Sequence, residues 1–404
     1  MSVPTEPSKS QTTLLEGIVV VDATQVMAGP YCAMLLADMG ARVIKVEPPG
    51  GDSTRAMAGG AGGESHAFNA VNRGKQGVVL DLRQEAAREV FRRLAAGADI
   101  VIENFRPGVM AKFGLDHATL AAGHPGLIYA SISGYGQTGP WAGRGGFDLV
   151  AQGVSGIMSV TGEPGRPPVK AGLPITDLGA GLFALSGVLA ALHYRDRTGL
   201  GQYIDTSLME AGLALSVWES AEYFGGRGVP GPLGSAHRMS APYQAFRCAD
   251  GYVTIGAANQ RTFEKLAALL DHPEWVTDPR FATDGARVRH RDVLAALIDA
   301  VTVSATRDEW LARLDAAGIP CGPILDYAEA FDTPQATARA MSTTVDHPAL
   351  GRVRGIGTPL KLSRTPLDPG RRAPRLGEHT DAVLAALGYD AAAVADLRAA
   401  GAVR

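Results

Sequence analysis

Short apolar runs alternate with helical stretches through the first half of the chain. Gly and Pro punctuate nearly every junction, and the character changes in the Gly/Pro-rich segment 225–235. Together these features predict an α/β protein: a large domain built on a parallel, Rossmann-like sheet, and a smaller α+β domain. The chain of 404 residues is too long for one ordinary core, which also argues for two domains. The expected divisions are a disordered lead-in over 1–13, a large domain over 14–224, a small domain over 225–325, and a linker with a C-terminal return to the large domain over 326–404.

The elements follow in order. Residues 17–22 form a short continuous apolar run ending in Asp22, a buried strand. The loop 23–30 leads into an amphipathic helix, 31–39, stopped by Gly40, and 42–47 is the next strand, closed by Pro48-Pro49-Gly50-Gly51. A βαβ unit whose second strand ends in an acid invites a nicotinamide dehydrogenase. Its first turn, Ala23-Thr24-Gln25-Val26-Met27-Ala28-Gly29-Pro30, lacks G-x-G-x-x-G, so the architecture is Rossmann-like without the dinucleotide fingerprint. Strand 77–82, helix 84–95 and strands 99–104 and 127–133 continue the alternation. Ligands of such sheets sit at the carboxyl ends of the strands, where the loops Asn104-Phe105-Arg106-Pro107-Gly108 and Gly134-Tyr135-Gly136-Gln137-Thr138-Gly139-Pro140 lie.

The stretch Pro174-Ile175-Thr176-Asp177-Leu178-Gly179-Ala180-Gly181 opens a run, 182–192, that is apolar on nearly every face. This reads as a buried helix, interrupted by Gly and too short to span a bilayer. Asp177 at its mouth has two readings. It can be the N-cap, accepting a bond from a free backbone N–H, or the helix terminus can keep it ionised and present it as a nucleophile. Beyond 225, strands 241–246 and 252–256 flank the turn Ala249-Asp250-Gly251, and helices over 260–270, 291–303 and 307–317 follow. Weak strand character over 353–362 and a helix over 381–387 complete the chain.

The 46% hydrophobic and 20% charged content is that of a soluble globular protein. A formal net charge of −3 supplies no basic field, which argues against nucleic acid. The start of the chain has no basic, then apolar, signal pattern, and neither a signal peptide nor a membrane span is expected. Cys32, Cys248 and Cys321 are odd in number and far apart, as in a cytoplasmic protein with reduced thiols. Cys321, in the constrained turn Gly318-Ile319-Pro320-Cys321-Gly322-Pro323, is the one to check for reactivity. Nine scattered histidines make no metal pattern, and neither a Walker loop nor G-x-S-x-G is present. What remains is a set of basic and amide side chains in loops: Asn72-Arg73-Gly74-Lys75, the Asn104–Arg106 turn, and Lys112. Each alone is also what a solvated rim would carry.

In order, these motifs resemble the family III CoA-transferases (the CaiB/BaiF family), which include formyl-CoA transferase, carnitine CoA-transferase and the α-methylacyl-CoA racemases. The resemblance rests on Val26-Met27-Ala28-Gly29-Pro30, Val43-Ile44-Lys45-Val46-Glu47-Pro48, the Asn72–Lys75 turn, the loops after 103 and 133, Thr198-Gly199-Leu200-Gly201-Gln202, the Cys321 turn and Leu376-Gly377-Glu378-His379-Thr380. It implies an interlocked homodimer, coenzyme A thioesters as substrates with no cofactor bound permanently, and Asp177 as the catalytic residue. It points to Val26, Ala28, Arg73, Lys75, Asn104, Phe105, Arg106, Lys112, Tyr135 and Gly136 as the CoA-binding residues. Arg and Lys suit its anionic groups on charge.

The implied reaction moves CoA from a succinyl-CoA-like donor to a small acid through aspartyl mixed anhydrides. Relatives shield such an intermediate with a Gly-rich loop of the small domain; the nearest match, Gly256-Ala257-Ala258-Asn259-Gln260, departs from an all-Gly run. Racemases place a His before the Asp that follows the G-Y-G-Q loop, whereas this chain has Phe147-Asp148, and Phe147 cannot carry a proton. Met27 stands where the formyl-CoA branch has Gln. The run Gly234-Ser235-Ala236-His237-Arg238 looks more like the succinyl-CoA:glutarate and other dicarboxylate branches, with His237 or Arg238 pairing with the distal carboxylate. An acyl-CoA racemase or isomerase of the same fold, or a CoA-binding protein without turnover, are the alternatives.

Overall fold

The computed structural model describes residues 13–59 and 64–404; all of the lead-in expected over 1–13 except Thr13 lies outside them. Six strands make one wholly parallel sheet: β1 (Val19–Ala23), β2 (Arg42–Glu47), β3 (Gln76–Val79), β4 (Ile100–Glu103), β5 (Ile128–Ser133) and β6 (Tyr203–Ser207). Their order across the sheet is β3-β2-β1-β4-β5-β6. The chain therefore winds outward from β1 in one direction and returns to wind outward in the other, which is the doubly wound Rossmann arrangement.

Strand period two explains the two cores. Val20, Val43, Ile100 and Ile102 face one layer of helices, while their neighbours Val21, Ile44 and Val101 face the other. The first layer is made by the helix Ala28–Asp38 and the long helix Ile175–Thr198. The second contains Val90, Phe91 and Leu94 of the helix Glu85–Ala96, and it also receives Val383, Leu384, Val394 and Val403 from the C-terminal tail. The tail adds backbone contacts: Asp81 N–H donates to Ala402 O at 2.9 Å, and Leu80 bridges Val403.

The long helix runs 24 residues. It is long and apolar enough to cross a bilayer by length and composition, so the reading of 182–192 as too short is corrected; its inner face, with Ala180, Ala184 and Val188, is packed into the core. The helix Ala28–Asp38 starts inside the expected loop, because Pro30 is tolerated in a first turn. β6 carries no clear strand signal in the sequence: Tyr-Ile-Asp-Thr-Ser alternates weakly and reads as polar.

The chain divides into two units. One comprises the chain to Ile157, Ala171–Trp218 and Pro334–Arg404; the other comprises Met158–Lys170 and Glu219–Thr333. The second has its own core around Phe246, Phe263, Leu294 and Trp310. Its hairpin pairs Tyr243–Cys248 with Gly251–Gly256, and the latter also pairs with Cys321–Pro323. Cys321 thus lies on an edge strand rather than in a bare turn. Burial and the neighbouring Asp315 push its thiol up to about 11, which disfavours the reactive thiolate near neutrality. The segment 256–260 is committed locally: the Asn259 side chain accepts the Thr262 N–H at 2.9 Å and caps the helix Gln260–Leu269.

Candidate active site

The order of the sheet reverses between β1 and β4, and the crevice outside their carboxyl ends is where such sheets take ligands. A cleft of about 310 Å³ opens there, within the range of small-ligand sites. Gln25, Val26, Met27 and Ala28 line it from the β1 side, and Asn104, Phe105, Arg106 and Pro107 from the β4 side. Arg144, Phe147 and Asp177 complete it, with Ile132 and Leu208 among the apolar lining. Asn104 ties the two sides together, accepting from Gln25 N–H at 2.8 Å and donating to Gln25 O at 2.7 Å. Behind it the buried Glu103 accepts from the Ser131 hydroxyl and the Phe105 N–H, and burial pushes its carboxyl up to about 7.

Asp177 is the third residue of its helix, and the N-cap position belongs to Pro174, which makes no side-chain cap. The capping role falls instead to Asp148. Its Oδ1 accepts from Thr176 Oγ1 at 2.7 Å and from Thr176 N–H at 3.0 Å, while its Oδ2 accepts from Gln152 Nε2 at 2.7 Å. Among the described residues no donor is bonded to the Asp177 carboxylate. Burial first, and the Asp148 charge second, push its carboxyl up to about 7. The helix terminus favours the anion by only about 0.3–1 kcal/mol. Burial and the Asp148 charge therefore outweigh the terminus and make Asp177 harder to ionise than an ordinary carboxyl.

Backbone contacts that only Gly permits fix these positions. A Cβ on Gly146 would lie 2.6 Å from Gly134 Cα, so the loop after β5 and the approach to Asp148 cross in direct contact. A Cβ on Gly181 would lie 2.6 Å from Ala28 O, which brings the Asp177 helix onto the start of the helix Ala28–Asp38.

Of the residues selected from the sequence, Val26, Ala28, Asn104, Phe105, Arg106 and Asp177 therefore line one cleft. Arg73 and Lys75 do not. The Arg73 guanidinium is bonded to Asp38, with Nη2 at 2.6 Å, and Lys75 Nζ to Asp22 at 2.7 Å, to Asn72 and to Pro30 O. Both side chains are buried, and in this structure their charges are paired with Asp38 and Asp22 rather than presented to the cleft. Lys112 is exposed and outside the lining. Tyr135 packs edge-on against Trp141 at 5.5 Å, and Gly136 N–H donates to Ser133 Oγ at 2.9 Å; neither lines the cleft. His237 and Arg238 belong to the second unit, where Arg238 Nε lies 3.3 Å from Glu222 and His237 meets Tyr243 edge-on at 5.0 Å.

Sequence reasoning missed Gln25, Arg144 and Asp148. It also missed an adjoining cavity that shares Gln25 and Phe105 with the cleft and is lined by Pro48, Pro49, Gly50 and Leu80–Arg83. No local signal marks Asp148, which acts on a helix that begins 27 positions later.

A doubly wound sheet takes its ligands in this switch-point crevice, and a buried carboxyl whose pKa is raised by its surroundings marks the crevice as a candidate active site. The chain belongs to CoA-transferase family III, whose family model matches residues 15–380, and it is a CoA-transferase. It is 39% identical over 381 residues to the succinate–glutarate CoA-transferase of Agrobacterium fabrum, covering 92% of this chain and 95% of that protein. It is 36% identical over 392 residues to human succinyl-CoA:glutarate CoA-transferase, covering 96% and 90%. A crystal structure of a CaiB/BaiF family protein from Brucella suis superposes with a TM-score of 0.82 at 42% identity, covering 93% of this chain and all of the other.

Proposed function

We propose that Asp177 is the nucleophile of a CoA transfer between small organic acids, with a succinyl-CoA-like donor and a dicarboxylic acceptor. The observation that carries this reading is the state of its carboxyl: half-buried, relieved of capping by Asp148, and in one cleft with Arg106 and Arg144. The Asp177 oxygen attacks the thioester carbonyl, the C–S bond breaks, and CoA leaves as thiolate, giving a mixed anhydride. The acceptor carboxylate attacks the Asp177 carbonyl carbon and expels the donor acid, forming a second anhydride. CoA thiolate then attacks the acceptor's carbonyl and releases the Asp177 carboxylate. Water would hydrolyse either anhydride, and the apolar lining by Met27, Ile132, Phe147 and Leu208 supports its exclusion.

The pantetheine arm runs past Val26, Ala28, Asn104 and Phe105, and the nucleotide end takes the adjoining cavity beside Arg83. The shared lining by Gln25 and Phe105 supports that path. Arg106 and Arg144 meet anionic groups of the substrates, and His237 or Arg238 remains the proposed partner of the acceptor's distal carboxylate. The carbon side chain of Phe147, which lines the same cleft as Asp177, speaks against an acid/base pair for racemisation. A homodimer is part of the proposal, supported by large apolar side chains left exposed in this single chain, among them Trp218 at 57% and Phe224 at 81%.

The test is CoA exchange followed by mass spectrometry, with succinyl-CoA, a panel of carboxylic acids and an Asp177→Ala control. New acyl-CoA species that need Asp177 are expected, dicarboxylic acids leading. Exchange that survives in the control, or none with any acid, contradicts the reading.

A further inference from the structure

Val26 adopts φ +70°, the left-handed region that a β-branched side chain rarely enters. Its N–H points to Asp52, 3.3 Å from each carboxylate oxygen. Asp52 is fully buried, accepts from Thr54 N–H at 3.0 Å and Thr54 Oγ1 at 2.8 Å, and pairs with Lys45 Nζ at 3.1 Å. Lys45 Nζ also donates to Thr24 O at 2.9 Å. Asn104 grips Gln25 through both its backbone groups. Three consecutive residues, Thr24, Gln25 and Val26, thus have their backbone held by side chains from three other segments. A strained conformation persists where its surroundings over-determine it, and such sites cluster where ligands bind.

The bend has consequences in the cleft. Gln25, Val26, Met27 and Ala28 all line it, and Ala28 O then abuts Gly181 of the Asp177 helix. We infer that Asp52 is a positioning residue for the acyl-CoA cleft: by receiving the Val26 N–H it holds the loop in its left-handed bend and so sets the wall that CoA runs along. This rests on the acyl-CoA reading above.

The experiment compares wild type, Asp52→Asn, Val26→Pro and the double variant Asp52→Asn/Val26→Gly by calorimetric titration with CoA and by steady-state transfer kinetics. Asp52→Asn and Val26→Pro are each expected to weaken CoA binding and raise the acyl-CoA KM about tenfold, with a smaller fall in kcat. Adding Val26→Gly to Asp52→Asn recovers most of the lost affinity, because Gly takes positive φ without a Cβ penalty. A purely structural Asp52 would lower Tm with KM intact, and the added Gly would not help. If Asp52→Asn does not fold, Val26→Pro decides, since it removes the N–H and forbids positive φ while leaving the buried pair whole. Unchanged CoA affinity in Val26→Pro, or a double variant no better than Asp52→Asn, overturns the role of Asp52. Wild-type protein that binds no CoA instead overturns the acyl-CoA reading on which it rests.

Discussion

Asp148 Oδ1 holds Thr176 by its hydroxyl at 2.7 Å and its N–H at 3.0 Å, and the Asp177 N–H is 3.4 Å away. One carboxylate caps the helix that carries the other, and its charge makes the second harder to ionise. Replacing Asp148 by Asn keeps an acceptor and removes that charge. The acid limb of kcat/KM, expected near the Asp177 value of about 7, should move down by about 0.5–1 pH unit and no further, since burial is the larger cause. A pH–rate profile from pH 5 to 9 checks this; an unmoved limb would deny the coupling.

Asp177→Asn should cost at least about 10³-fold in transfer, since a covalent route is removed rather than weakened. It should also stabilise the fold at alkaline pH. The Asp177 carboxyl holds its proton more tightly folded than unfolded. The native state therefore binds more protons between about pH 4 and 7, and loses stability as the pH rises through that window. Asn does not ionise and escapes the loss. Allowing for partial solvent screening, about 1 kcal/mol should appear at pH 8 and vanish at pH 4. Thermal unfolding of both proteins at the two pH values measures it, and equal Tm shifts at both would exclude the titration.

Gly181→Ala sets a methyl group 2.6 Å from Ala28 O, a backbone atom that cannot swing away. A loss of about 1–3 kcal/mol is expected from overpacking. Activity of the folded fraction should fall as well, because the shift separates the Asp177 helix from the loop that lines the same cleft. Denaturant titration beside kinetics tests both halves, and a stable, fully active variant would show that the contact relaxes freely.

Arg73 and Arg106 should part company. Arg73→Met leaves the Asp38 carboxylate buried without its partner, a change worth about 3–5 kcal/mol, while the acyl-CoA KM of the folded fraction stays as it was. Arg106→Met should leave Tm within about 2 °C and raise that KM about tenfold, as expected of an exposed cation meeting an anionic ligand. The opposite pattern would return Arg73 to the substrate.

The strands were legible where both faces are buried. β1, β4 and β5 read as apolar runs and β2 as a strand closed by Pro48-Pro49, while the absent G-x-G-x-x-G was the reason to read the architecture as Rossmann-like without the dinucleotide fingerprint. β6, half-exposed and polar in its alternation, had no such signal. For the cleft, motif order found both loops at the switch point and Asp177. The resemblance that pointed to Arg73 and Lys75 gave no sign of their ion pairs with Asp38 and Asp22, because residue type cannot distinguish a cation that meets a ligand from one that neutralises a carboxylate in the interior. Asp148 and the Val26–Asp52 contact depend on segments that meet only in the folded chain, so no spacing rule reveals them.

The central claim is that Asp177 bonds covalently to the acids it serves. An acceptor acid identified by the exchange assay, labelled with ¹⁸O in its carboxylates, would be incubated with wild-type protein and acyl-CoA, and the peptide carrying Asp177 weighed after turnover. Because the acceptor oxygen that attacks the Asp177 carbonyl stays behind when CoA removes the acyl group, that peptide should gain ¹⁸O at Asp177. Turnover with label in the released donor acid and none at Asp177 would mean that the acids exchange directly, and the account would be wrong at its core.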